Sequence, residues 1–127
     1  MLNRDAPYEH QEQATVIRWA RLMVAKLPEL AYLFAIPNQG RAGGRRGRFW
    51  GARMAEEGLR AGVPDLMLPV ARGGFHGLFL EMKRQTGSTV SAAQKEWHKA
   101  LKEQGYEVIV ARGAQEAIEA IRRYLAL

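Results

Sequence analysis

Two apolar runs decide how this chain is read: Asp65-Leu66-Met67-Leu68-Pro69-Val70 and Gly77-Leu78-Phe79-Leu80-Glu81-Met82-Lys83, separated by Ala71-Arg72-Gly73-Gly74-Phe75-His76. Both have the length of strands, and the glycine-bearing connection suits a hairpin turn. Charge sits where an apolar strand has least use for it. Asp65, preceded by Gly62-Val63-Pro64, begins the first run, and Glu81 and Lys83 end the second. Strand side chains alternate faces, so Glu81 and Lys83 point one way and Met82 the other. In a hairpin the start of one strand lies beside the end of its partner, which sets Asp65 across from Glu81 and Lys83.

Outward from the hairpin the pattern alternates between helix and strand. Residues 8–27 read as a helix stopped by Pro28, with Glu9, Val16, Ala20 and Leu27 on one inward line and Gln13 and Ile17 beside it. Glu12 falls off that line and reads as solvated. Tyr32-Leu33-Phe34-Ala35-Ile36 reads as a short buried strand, and Phe49 to Arg60 as a helix closed by Gly62 and Pro64. Ser91-Ala92-Ala93-Gln94 has capping-box spacing and opens a helix running to about Gln104. Glu107-Val108-Ile109-Val110-Ala111 is a further strand, and Gln115 to Tyr124 a last amphipathic helix. The order α-β-α-β-β-α-β-α implies a single α/β domain over residues 1–127, with a central mixed sheet of about four strands flanked by helices. Trp19 and Trp97 read as core residues.

Composition narrows the function classes. The chain has 127 residues, a net charge of +6 and no cysteine, which excludes a disulfide scaffold, a thiol nucleophile and a Cys-based zinc or iron–sulfur centre. No apolar run is long enough for a membrane span, and the N-terminus lacks a secretory h-region, so a cytoplasmic location is expected. The basic excess is concentrated. Arg41, Arg45, Arg46, Arg48 and Arg53 fall in a glycine-rich window with no acid, outside which 14 basic residues face 13 acidic ones. Guanidinium forks match phosphate oxygens, so a polyanion, nucleic acid foremost, is the expected partner. The window lacks the Gly-Lys-Ser/Thr ending of a nucleotide-binding P-loop. His10, His76 and His98 show no ligand spacing and no zinc signature.

The convergence of Asp65, Glu81 and Lys83 has a chemical reading. Two carboxylates at close range repel unless a cation lies between them, and hard oxygen donors suit Mg²⁺ or Mn²⁺. The backbone carbonyl of Met82 is a further donor placed between the two side chains. Such an ion activates water and polarises a phosphoryl oxygen, while Lys83 orients the water or stabilises developing charge. A strand-end salt bridge to Lys83 is the structural alternative; the three residues together with the arginine window favour the metal site. Glu9 has two open readings, as an inward acid at this site or as a first-turn complement to the helix dipole. Gln94 also has two, closing the capping box or reaching a site beside the sheet.

Gly62-Val63-Pro64-Asp65 followed by Glu81-Met82-Lys83 resembles the Pro-Asp…Glu-x-Lys signature of the PD-(D/E)XK nuclease superfamily. Glu9 with Gln13, Pro37-Asn38 with Gly40, and Ser91-x-x-Gln94 with Trp97 extend the resemblance to the virus-type replication–repair nuclease (VRR-NUC) family, over essentially the whole chain and in a stand-alone minimal form. Gln39 departs from the glycine that the family commonly has there. The resemblance implies metal-dependent phosphodiester hydrolysis of DNA with Mg²⁺ or Mn²⁺. Asp65 and Glu81 would hold the ion, Lys83 would serve the water, Glu9 would complete the acidic site and Gln94 would line it. Asn38 and the loop arginines would contact the nucleic acid. Similarity to Holliday-junction resolvases implies branched or four-way DNA as substrate and a homodimer, since two opposed cuts require two sites related by a two-fold axis. The alternative from another class is a non-catalytic nucleic-acid-binding module with the same fold.

Overall fold

The computed structural model describes residues 7–37 and 52–127. Its centre is the hairpin, β2 (Leu66–Leu68) and β3 (Leu78–Lys83), paired antiparallel with Leu66 opposite Leu80. The connecting turn closes at Arg72 and Phe75, which exchange backbone hydrogen bonds of 3.2 and 2.8 Å. Gly73 and Gly74 between them both have positive φ (56° and 87°), the conformation that a two-residue hairpin turn matched to strand twist demands.

The sheet runs in the order β1-β2-β3-β4, with β1 at Phe34–Ala35 and β4 at Glu107–Arg112. β1 is antiparallel to β2, while β4 lies parallel to β3. A parallel neighbour requires a crossover, and α2 (Ala92–Glu103) supplies it. α1 (Glu9–Met23) and α3 (Ala114–Leu125) pack on the sheet and on each other. The α/β class and the mixed four-stranded sheet therefore agree with the sequence reading.

β3 is buried along its whole length, and alternation divides it between two layers. Leu78, Leu80 and Met82 join Val16, Ala20, Ala117 and Ile121 in the core beneath α1 and α3. Phe79, Glu81 and Lys83 face the other way, toward α2. Burying a leucine such as Leu80 (1% exposed) at this junction is worth roughly 2–5 kcal/mol against alanine.

Several boundaries differ from the sequence reading. α1 stops at Met23 instead of reaching residue 27; residues 24–26 form a turn, and Leu27, restricted by the following proline, leaves the helical region at φ −127°, ψ 80°. Pro28 then opens a 3-10 helix over Pro28–Tyr32, which consumes the start of the expected strand. What remains as β1 is two exposed residues at the sheet edge, not a buried strand. The helix expected over 49–60 is described only from residue 52, is helical over 52–56, and ends before Gly58, ahead of the expected stop at Gly62. Among the described residues no helix is long and apolar enough to cross a membrane.

Candidate active site

The register that pairs Leu66 with Leu80 puts Asp65 opposite Glu81 at the end of the hairpin. Asp65 N–H donates to the Leu80 carbonyl (3.0 Å), and Asp65 Oδ2 accepts from Met82 N–H at 2.7 Å. The aspartate therefore occupies a place where strand pairing runs out, and its carboxylate takes up a donor of β3. Its carboxyl group also lies within hydrogen-bonding reach of Glu81. Lys83, two residues on, shares the face of Glu81.

α2 holds these groups from above. Its capping box is complete: Ser91 Oγ accepts from Gln94 N–H at 3.2 Å, and Ser91 N–H donates to Gln94 Oε1 at 2.8 Å. That same Oε1 accepts from Lys83 Nζ at 2.9 Å, while Gln94 Nε2 donates to Glu81 Oε2 at 3.2 Å. The two readings of Gln94 are thus one arrangement, in which a cap amide bridges the glutamate and the lysine. Gly62 sets how closely α2 approaches. It has φ +90°, and a Cβ there would lie 2.8 Å from the Ala93 backbone.

Asp65, Glu81 and Lys83 are 2%, 1% and 5% exposed, so their charges sit almost out of water. Burial, the hydrogen bond to Asp65 and the charge of Asp65 together push Glu81 up to about 9, against a smaller opposing pull from Lys83. Without a cation, the carboxyl pair keeps a proton at neutral pH. Glu9 adds to the same negative potential from a half-buried position in the first turn of α1, as the weakest of these influences.

Two residues at or near the site were not singled out by sequence reasoning. His98 is buried, with Nε2 3.1 Å from Glu81 Oε1. Burial and the charges of Lys102 and Lys83 lower its pKa, so the contact is a hydrogen bond of a neutral ring. Its signal was helical spacing, one turn beyond Gln94. Glu12, expected to be solvated, is 5% exposed. Its Oε2 accepts from Ala114 N–H and its Oε1 from Gln85 Nε2 at 3.1 Å. Gly113, the N-cap of α3, has no side chain to cap with, and Glu12 supplies the missing acceptor from another helix. Gly113 N–H in turn donates to the Lys83 carbonyl at 2.9 Å, so Glu12 ties the start of α1 to the end of β3.

The remaining expectations divide. Arg53 is exposed in the stretch 52–56, whereas Asn38, Arg41, Arg45, Arg46 and Arg48 lie outside the described residues. Trp19, expected in the core, packs half-buried against it with Arg122 Cζ 5.5 Å from its ring, whereas Trp97, also expected there, is half-buried outside the core cluster with Arg60 Cζ 5.7 Å from its ring.

The donor set fits a hard divalent cation. Asp65 and Glu81 offer carboxyl oxygens from adjoining strands, side by side at the end of the hairpin. The Met82 carbonyl leaves β3 on the edge where its N–H meets Asp65. Among the described residues no group of three or more His or acidic side chains could hold a metal ion. An ion here would therefore keep water or substrate oxygens around it, as Mg²⁺ commonly does.

A mixed four-stranded sheet carrying an Asp, a Glu and a Lys at the end of its central hairpin defines a nuclease-type α/β domain. The VRR-NUC domain family matches residues 8–115, and the chain belongs to that family. A solved structure described as a VRR_NUC domain protein is similar at 29% identity, with a TM-score of 0.77, over 97% of this chain and 92% of its own. No curated protein matches the chain.

Proposed function

We propose that this protein is a divalent-metal-dependent DNA endonuclease that hydrolyses phosphodiester bonds, with branched DNA such as a four-way junction as substrate. The observation that carries the reading is the meeting of Asp65 and Glu81 beside Lys83, with Gln94 bridging the last two. Asp65, Glu81 and the Met82 carbonyl would hold Mg²⁺ or Mn²⁺, which supplies polarisation of the phosphoryl oxygen and a more acidic water. Lys83 Nζ, fixed by Gln94, donates to the attacking water oxygen or to a non-bridging oxygen as negative charge builds. A bond forms from water oxygen to phosphorus as the ester bond to the leaving oxygen breaks; the water gives up one proton to bulk solvent and the leaving oxygen takes one from it, so the step balances without a further co-reactant. His98 and Gln94 hold the Glu81 carboxyl in place, and Glu9 adds negative potential at the rim.

Two opposed cuts in a four-way junction require two such sites, which supports a homodimer. The test is cleavage of labelled linear, flap, nicked and four-way DNA in Mg²⁺ and in Mn²⁺. We expect cutting of the branched substrates that EDTA abolishes. Asp65→Ala, Glu81→Ala and Lys83→Ala should each lower the rate by about 10²-fold or more while retaining most of the DNA affinity. Binding without cleavage under either ion would replace the enzyme by a binding module.

A further inference from the structure

Away from the carboxylates, α2 carries a lysine edge. Three of the chain's five lysines, Lys95, Lys99 and Lys102, lie on it, all exposed. At 3.6 residues per turn they share an arc of about 60°. Around the helix the order runs Gln94, His98, the three lysines, then Glu103 and Glu96. The edge therefore adjoins the two α2 residues that touch Glu81, at 3.2 Å from Gln94 Nε2 and 3.1 Å from His98 Nε2. A groove of about 550 Å³ is lined by Lys95, His98, Lys99, Lys102 and Glu103. Among the described residues none of the three ammonium groups is engaged in an ion pair.

A helix edge that served only solubility would mix signs, and stacking like charges four residues apart costs helix stability. Of the two exposed acids of α2, Glu96 falls on the side away from Glu81, and Glu103 borders the lysines at the far rim of the groove. From Lys95 to Lys102 the edge spans roughly 10 Å, long enough to follow more than one phosphate along a nucleic-acid backbone. Flexible ammonium groups are point charges without base preference, suited to holding a backbone in register.

We propose that Lys95, Lys99 and Lys102 form a track for the DNA backbone flanking the scissile phosphate, separate from the arginine window. The proposal rests on the nuclease reading above for the position of the scissile bond. It is tested by anisotropy of a labelled duplex and a labelled four-way junction in EDTA, from about 50 to 200 mM salt. The variants are the triple K95Q/K99Q/K102Q and a comparator, R21Q/K26Q/R123Q, that removes the same charge from exposed positions elsewhere. The track predicts about tenfold weaker binding and a salt slope lower by about 2–3 in the first triple, with a much smaller change in the comparator. Unchanged affinity and slope in the first triple would overturn it, as would an equal loss in both. A loss confined to the α2 triple supports the track even if the parent protein cuts no DNA, so the two readings fail separately.

Discussion

Glu81 is the residue on which the site turns. An ordinary glutamate loses its proton near 4.5, and this one is held up to about 9 by burial and by Asp65. The folded state therefore keeps a proton that the unfolded chain has released between those two values. Stability of the metal-free protein is complete below the lower value and falls as pH rises through the window. Urea melts in EDTA from pH 5 to 9 should show that decline, and Glu81→Gln, which cannot ionise, should flatten it. An equal slope in the variant would mean that Glu81 does not carry the shift. Glu12, a second buried acid, accepts from Ala114 N–H at the start of α3.

Among the elements, α2 does most to assemble the site, and its first turn matters most. Ser91 caps the helix, and Gln94 in the same box reaches both Lys83 and Glu81. Ser91→Ala should cost about 0.5–2 kcal/mol in thermal or urea melts, as loss of a cap does. It should also slow cleavage by loosening Gln94, whereas Ser91→Asp, which restores a capping oxygen, should recover the stability. The hairpin and α2 were legible in the sequence because their signals are local: alternation over a few residues, a Gly-Gly turn, a serine three residues before a glutamine. Asp65 opposite Glu81 followed from that alternation plus one turn. β1 was not legible as an edge, because Tyr32-Leu33-Phe34-Ala35-Ile36 has the composition of a buried strand whether or not another layer covers it. Glu12 was hidden for a different reason: its partner, Ala114, is 102 residues away, and no helical projection of residues 9–23 contains it.

At the scale of the whole molecule, five of the six net positive charges belong to the arginine window, and the rest of the chain is nearly balanced. Neutralising Arg45, Arg46 and Arg48 together should weaken DNA binding and lower the salt slope by about 2–3; an unchanged slope would return these arginines to a role in solubility. The central claim, that Asp65 and Glu81 are a cation site kept protonated when empty, is tested most directly by titration calorimetry with Mn²⁺ at pH 7 in buffers of different ionisation enthalpy. The account predicts saturable binding to the parent protein with release of about one proton. It also predicts loss of that binding in Asp65→Asn and in Glu81→Gln. Equal Mn²⁺ affinity in the parent and both variants, or binding with no proton released, would contradict it.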